Sequence, residues 1–157
     1  MAYTDVTGIN NKLAYQNHIN RLNNADDTFL VGVIMLDLNN LKRVNDTLGH
    51  EMGDRYIESF SAILAGMQNE RISAYRIGGD EFLVICTQID ENTLIKHITE
   101  LKELMKERSV NMAAGVIWRE NVITGFDEML RESEERMYAD KAQSYKEKGV
   151  ERRKGRA

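Results

Sequence analysis

The stretch Arg76-Ile77-Gly78-Gly79-Asp80-Glu81-Phe82-Leu83-Val84-Ile85 constrains the chain more than any other. A short apolar segment ends at Ile77, another opens at Phe82, and two glycines lie between them. Glycine accepts φ > 0 without a Cβ clash, so the pattern predicts a β-hairpin turning at Gly78-Gly79. Two carboxylates, Asp80 and Glu81, stand at the mouth of a return strand that otherwise looks buried. A core strand gains nothing from adjacent acids, and like charges there repel unless a cation joins them. A Gly-Gly turn also lets a ligand approach the backbone. Taken alone, the stretch reads more simply as a hairpin with solvated acids at its tip, so the rest of the chain has to decide.

A chain of 157 residues predicts a single domain, 1–157, with a real hydrophobic core. Its 42% hydrophobic and 29% charged content is that of a soluble globular protein. A formal net charge of −4 speaks against a nucleic-acid binder. Residues 146–157 hold six Lys/Arg against two Glu, a net of +4, which leaves −8 on the remainder. That basic end reads as a solvated, poorly ordered tail. Cys86 is the only cysteine, so no intrachain disulfide can form and a reducing compartment is indicated. It sits in an apolar run and reads as a small core residue. The longest apolar run, Phe29 to Leu36, is too short to span a bilayer, and no signal-peptide pattern precedes it. The expectation is a cytoplasmic domain without membrane contact.

Taken in order, Asp5 to Lys12 is a polar turn leading into a helix to about Ala25, with Asn10 or Asn11 as cap. Thr28 to Leu38 is nearly continuous apolar and β-branched sequence, which predicts a central strand covered on both faces. Asp37 near its end stands where α/β folds put ligand chemistry, although an Asp capping the next turn reads equally simply. Asn39 to Asp54 is dense in polar side chains. Arg55 to Met67 predicts a helix, Ile72–Ile77 and Phe82–Thr87 the hairpin strands, and Val110–Trp118 another strand. Glu91 to Arg108 predicts a helix burying Leu94, Ile95, Ile98, Leu101, Leu104 and Met105, and Phe126 to Lys146 one burying Met129, Leu130, Met137 and Tyr138. The alternation predicts an α/β sandwich with a mixed central sheet flanked by helices.

If those strands are neighbours, Asp37, Asp80 and Glu81 converge on one edge of the sheet. Hard oxygen ligands beside a phosphate substrate suit Mg²⁺, and metal-aligned attack on phosphorus is the chemistry such a cluster serves. Adjacent strand residues point to opposite faces, so Asp80 and Glu81 can share a metal only if the hairpin tip is irregular. His50, after Gly49, reads as a structural hydrogen-bonder rather than a base.

The Gly78–Phe82 run, the spacing from Asp37 to Asn45-Asp46, Gly49-His50 and Gly53-Asp54, and the opening Asp5-x-Thr7-Gly8 together resemble the GGDEF domain of diguanylate cyclases. The resemblance extends from about residue 3 to residue 146. It implies a palm-like sandwich similar to nucleotidyl cyclase and polymerase catalytic domains, and condensation of two GTP into cyclic di-GMP at a homodimer interface formed by the active-site face. Carried over by position, Asp37, the Leu38 carbonyl, Asp80 and Glu81 hold Mg²⁺, with Mn²⁺ as a substitute. Gly78 and Gly79 let the backbone meet the nucleotide. Backbone amides over Asn40, Leu41 and Lys42, with the Lys42 and Lys141 side chains, cradle phosphates. Asn45 and Asp54 read guanine, whose N1–H and N2–H a carboxylate can accept together. Asp80 activates the 3′-hydroxyl, with Glu81 beside it.

The family's Asp-x-Asp-x-Phe-Lys reads Asp37-Leu38-Asn39-Asn40-Leu41-Lys42 here, and its Lys-x-x-Gly-Arg-Asn ending reads Lys141-Ala142-Gln143-Ser144-Tyr145-Lys146. The first change replaces an acid by an amide, and the second removes a phosphate-binding arginine. The product-inhibition motif Arg-x-x-Asp would fall at positions 69 and 72, which are Asn69 and Ile72. No inhibitory-site cyclic di-GMP binding is therefore expected. The resemblance implies an upstream sensory or dimerising domain missing from this chain. The rival expectation is a GTP-binding regulatory module without turnover.

Overall fold

The computed structural model describes residues 9–24, 30–39, 41–120 and 126–154, with backbone alone for 145 and 147–154. Along the chain run α1 (Lys12–Asn23), β1 (Val31–Leu38), α2 (Leu41–Leu48), α3 (His50–Met67) and β2 (Ile72–Arg76). β3 (Glu81–Thr87), α4 (Glu91–Glu107), β4 (Met112–Arg119) and α5 (Phe126–Lys154) follow. The strands form one sheet in the order β2-β3-β1-β4. Every neighbouring pair is antiparallel, so the pairing within the four strands is not mixed as expected. The hairpin β2–β3 folds back so that β3 lies between β1 and β2, the split βαβ arrangement. The described parallel pairing is a single bridge from Asn10 to Tyr75 on the outer edge of β2.

All eight residues of β1 are buried, because β1 is central and helices cover both faces of the sheet. Ile34, Leu36 and Leu38 point to one side, where Phe60 and Leu64 of α3 and Leu94 and Leu101 of α4 meet them. Val31, Val33 and Met35 point to the other, against Ile19 of α1 and Phe126, Met129 and Met137 of α5. This period of two explains the uninterrupted apolar run: each parity has its own core to fill. α5 approaches the sheet so closely that a Cβ on Gly115 would stand 1.9 Å from the Ser133 carbonyl oxygen and 2.5 Å from the Met137 nitrogen. Nothing larger than glycine fits there.

Several sequence expectations need correction. α4 buries Leu94, Ile98, Leu101 and Met105, a narrower stripe than expected, and Ile95 and Leu104 are 51% and 42% exposed. Tyr138 of α5 is 48% exposed rather than inward. α3 starts at His50, five residues before the expected Arg55, and α2 precedes it; Gly49 between them has φ +89°, a conformation few other residues take. α5 continues to Lys154, so most of the basic end is helical, consistent with its Lys, Glu and Arg content. Asp5, Thr7 and Gly8 lie outside the described residues. Cys86 is buried, and burial pushes its thiol up to about 12. Among the described residues no helix is long and apolar enough to cross a membrane.

α1 is capped by Asn11, whose side chain accepts from the Ala14 amide, and docks through an aromatic cluster. Tyr15 meets Tyr75 edge-on at 6.0 Å, and His18 Nδ1 is 2.5 Å from the Tyr75 hydroxyl. Burial, with the nearby Arg21 charge, holds the His18 pKa below its ordinary value. The neutral ring's contribution to stability is therefore complete above the ordinary histidine range and is lost as pH falls through the depressed value. Thermal midpoints across that range should fall more steeply toward acid in the parent than in His18→Gln; parallel curves would contradict this docking.

Candidate functional site

The hairpin tip is a three-residue loop. The last β2–β3 pair is Arg76 with Phe82, and the Ile77 and Gly78 amides both donate to the Glu81 carbonyl, at 3.0 and 3.3 Å. Gly78, Gly79 and Asp80 therefore form the turn, not Gly78-Gly79 alone. Neither glycine has positive φ, so the left-handed turn expected from the sequence is not what selects them. A Cβ on Gly79 would meet open space and one on Gly78 only ordinary contacts. What the pair leaves is a bare backbone surface. Arg76 braces it, donating from Nη2 to the Gly79 carbonyl at 2.9 Å and from Nε to the Gly78 carbonyl at 3.3 Å.

This irregular tip resolves the parity difficulty, because Asp80 sits in the turn and only Glu81 belongs to the strand. Register sets Glu81 opposite Asp37, and the Leu38 amide donates to the Asp80 carbonyl at 2.9 Å. The antiparallel pairing thus joins the carboxyl end of β1 to the beginning of β3. Asp37 is 3% exposed. Its Oδ2 accepts from Lys141 Nζ at 3.0 Å, while Oδ1 is buried with no hydrogen-bond partner among the described residues. Burial pushes the Asp37 carboxyl above its ordinary range, Lys141 pulls it back, and the charge of Asp80 pushes it up again. Glu81 is likewise raised, by burial first and then by Asp37, Asp80 and Glu134. The buried side-chain oxygen of Asn39 also has no partner among the described residues.

A cleft of about 380 Å³ opens beside these acids, lined by Leu38, Leu41, Lys42, Arg43, Asp46, Thr47, Asp80 and Lys141. It brings together five of the expected site residues: Leu38, Leu41, Lys42, Asp80 and Lys141. Its floor includes the first turn of α2, whose amides have no intrahelical acceptors and carry the positive end of the helix dipole. With Lys42, Arg43 and Lys141 around it, the cleft suits an anion. Asn40 lies outside the described residues. Asn45 and Asp54 do not line this cleft. Asn45 is half-buried on α2, packed over the bare Cα of Gly53 on α3, and Asp54 follows it, exposed. His50 is exposed.

Sequence reasoning missed Arg43, Asp46 and Thr47, and also Glu134 and Tyr138, which share a face of α5 with the expected Lys141. Glu134 raises the pKa of Glu81, and the Tyr138 hydroxyl, held up chiefly by the Glu81 charge, donates to Glu134 Oε1 at 3.4 Å. Positions 134, 138 and 141 share one helical face, and that spacing was the available signal. At positions 69 and 72, the Asn69 side chain accepts from the Arg71 and Ile72 amides, and Ile72 is 3% exposed. Asn69 is thus occupied in closing its own turn. A cavity of about 520 Å³ beside it, between α3 and α4, is floored by Ile63, Met67, Leu101 and Leu104.

Whether these residues fit a divalent cation turns on Asp37. Among the described residues no group of three or more His, Cys, Asp or Glu stands ready to hold a metal ion. The Lys141 ammonium already takes one oxygen of the innermost acid. Yet a buried carboxylate oxygen without a donor, with Asp80 and Glu81 repelling Asp37, is a donor set that a hard cation would satisfy. The residues fit.

A three-layer antiparallel sandwich with Asp37 at the end of its central strand, and Asp80 and Glu81 beside it on the hairpin, is the palm-like α/β arrangement expected from the resemblance. A family model described as Diguanylate cyclase, GGDEF domain, matches residues 2–147, and the chain belongs to that family. Among solved structures, the GGDEF domain of DgcB from Caulobacter crescentus in complex with c-di-GMP superposes with a TM-score of 0.79 at 22% identity, over 91% of this chain and 92% of that one. Diguanylate cyclase SiaD from Pseudomonas aeruginosa, in complex with its activator SiaC, gives 0.78 at 21%, over 90% of this chain and 59% of that one. At such identities the likeness is one of fold. In sequence, the chain is 42% identical over 96 residues to cyclic di-GMP phosphodiesterase PdeR of Escherichia coli, and 36% identical over 94 residues to diguanylate cyclase DgcN of the same organism. Those alignments cover 60% and 59% of this chain but only 14% and 23% of the two relatives.

A Cβ at position 53 would stand 1.7 Å from Asn45 Oδ1, a side-chain end that can swing away. Gly53→Ala should therefore keep or raise the thermal midpoint, since alanine favours a helix by about 1 kcal/mol over glycine. If Asn45 reads guanine, as the resemblance implies, the variant should nonetheless bind GTP more weakly in a titration. A folded variant with parental GTP affinity would contradict the expectation that Asn45 reads guanine.

Proposed function

We propose that the chain is the catalytic domain of a diguanylate cyclase, in which two copies, each holding one GTP, form cyclic di-GMP and release pyrophosphate. The observation that carries this reading is the buried Asp37 carboxylate, one oxygen on Lys141 and the other without a donor, at the strand end it shares with Glu81. Asp37, the Leu38 carbonyl, Asp80 and Glu81 would hold Mg²⁺ or Mn²⁺, which when bound neutralises phosphate charge and eases deprotonation of the attacking hydroxyl.

The chain's own residues do the rest. The Leu41 and Lys42 amides, with the Lys42 and Lys141 side chains, hold the phosphates. Asn45 and Asp54 select guanine, because a base that leaves such groups unpaired is rejected by a large factor. Gly78 and Gly79 admit the nucleotide to the backbone. Asp80, with Glu81 beside it, takes the 3′-hydroxyl proton as the 3′-oxygen bonds to the α-phosphorus of the other GTP. The bond from that phosphorus to its bridging oxygen breaks, and pyrophosphate leaves with the electron pair. The same exchange at the second site closes the ring. Each site supplies half of the reacting atoms, so a twofold homodimer through the active-site face brings them together. With Asn69 committed to its turn and Ile72 in the core, the positions of the family's inhibitory motif offer the product neither a guanidinium nor a carboxylate. The reading implies a cytoplasmic domain, where GTP is.

A second reading, a GTP-binding regulatory module without turnover, is favoured by two observations. One relative is named a phosphodiesterase, and Asn39 stands where an acid is usual.

Incubation with GTP and Mg²⁺ followed by chromatography separates the two. The cyclase reading expects cyclic di-GMP, a specific rate that rises with protein concentration, and a loss of at least about a hundredfold in Asp37→Asn. GTP binding without any cyclic di-GMP at any protein concentration would establish the module.

A further inference from the structure

The end of β1 is secured by more than the sheet. Beyond the last β1–β4 pair, Leu38 with Met112, the Asn39 amide donates to the Asn111 carbonyl at 2.8 Å. The Tyr56 hydroxyl of α3 sits against this added rung. It accepts from the Asn111 amide at 2.6 Å and lies 3.3 Å from the Asn39 carbonyl and 3.4 Å from the Asn111 carbonyl, so its single proton serves one of them. Tyr56 is half-buried and packs against the core under α3, which leaves the ring little freedom to carry the hydroxyl elsewhere.

The two ends of this contact are the two ends of the proposed nucleotide site. Tyr56 follows Gly53 and Asp54 within one helical turn, on the helix whose first residues carry the base-reading side. Asn39 directly follows Asp37 and Leu38, and α2, whose first residues line the anion cleft, starts at Leu41. The phenol therefore ties α3 to the Asn39–Asn111 rung, and through that rung the base side to the phosphate side. We infer that Tyr56 is a positioning residue: its hydroxyl sets the spacing between the Asn45/Asp54 base pocket and the Asp37 end of β1, so that one guanine nucleotide can engage both.

The inference rests on the guanine-nucleotide reading above and concerns ligands that span both ends. A spanning ligand gains from correct spacing, whereas a ligand using one end does not. Tyr56→Phe removes the hydroxyl and keeps the ring. In titrations with Mg²⁺, the variant should bind GTP roughly tenfold more weakly, the scale of one or two lost neutral hydrogen bonds. Its affinities for guanosine and for pyrophosphate, each measured alone, should stay at the parental values. A purely structural role would weaken all three together or none, and either result overturns the inference. A parent that binds guanosine and pyrophosphate but not GTP also overturns it, because the two ends are then not spaced for one nucleotide; a parent that binds none of the three overturns the reading beneath it. Should the variant not fold, amide hydrogen exchange on the parent decides. The Asn111 amide should be protected to the level of the β4 amides, and exchange at the rate of an open loop would show that the tie does not hold.

Discussion

The ion pair between Asp37 and Lys141 joins residues 104 positions apart at 3.0 Å, and the acid end of the molecule is arranged around it. A carboxylate this deep cannot remain charged without a partner. Removing one member of a buried pair commonly costs about 3–5 kcal/mol, less here because the Lys141 side chain is 28% exposed. Lys141 reaches Asp37 because α5 lies directly on β4. Bare Gly115 permits the approach. Asp140 accepts from the Ala114 amide at 2.9 Å, and Arg136 donates to the Val116 carbonyl at 2.8 Å. These contacts on a strand that carries no site residue determine where the site lysine stands.

The pair is incomplete by design of the strand end. One oxygen of Asp37 has no partner among the described residues, Glu81 faces it across the sheet, and Asp80 raises its pKa. Three acids and one lysine leave a local excess of negative charge that a cation relieves, while the cleft beside them is lined by Lys42, Arg43 and Lys141. A ligand carrying both a divalent cation and phosphates matches this distribution at both points. Lys141 lines the cleft and also holds Asp37, so a phosphate bound there would compete with the buried acid for it. Asn39, neutral where an acid is usual, lowers the negative charge at this end by one.

How much of this was legible in the sequence depended on whether the signal was local. β1 was readable because both faces of the strand are covered, so every position from Val31 to Leu38 is buried. The hairpin was readable because two apolar runs flank a short polar break. Its turn was misread. Gly78 and Gly79 suggested positive φ, whereas the tip is a three-residue loop in which the glycines leave room rather than adopt a special conformation. α2 was hard to read because its apolar stripe, Leu41, Val44 and Leu48, is confined to an eight-residue helix inside a dense polar run, and none of it is buried. Ile95, Leu104 and Tyr138 are apolar or aromatic and fit an inward spacing, yet each stands at the margin of its helix's buried stripe and stays exposed. The Asp37–Lys141 pair and the Tyr56 contact join distant segments, and no local pattern announces either.

The claim on which the account turns is that Asp37 is a cation-binding carboxylate held in waiting by Lys141. The direct measurement is the anomalous diffraction of crystals grown with Mn²⁺ and a non-hydrolysable GTP analogue. The account predicts a Mn²⁺ peak within bonding distance of the Asp37 carboxylate, with the Lys141 ammonium moved from Asp37 onto a phosphate oxygen. A nucleotide bound in the cleft with Lys141 still on Asp37 and no anomalous peak beside it would contradict the account.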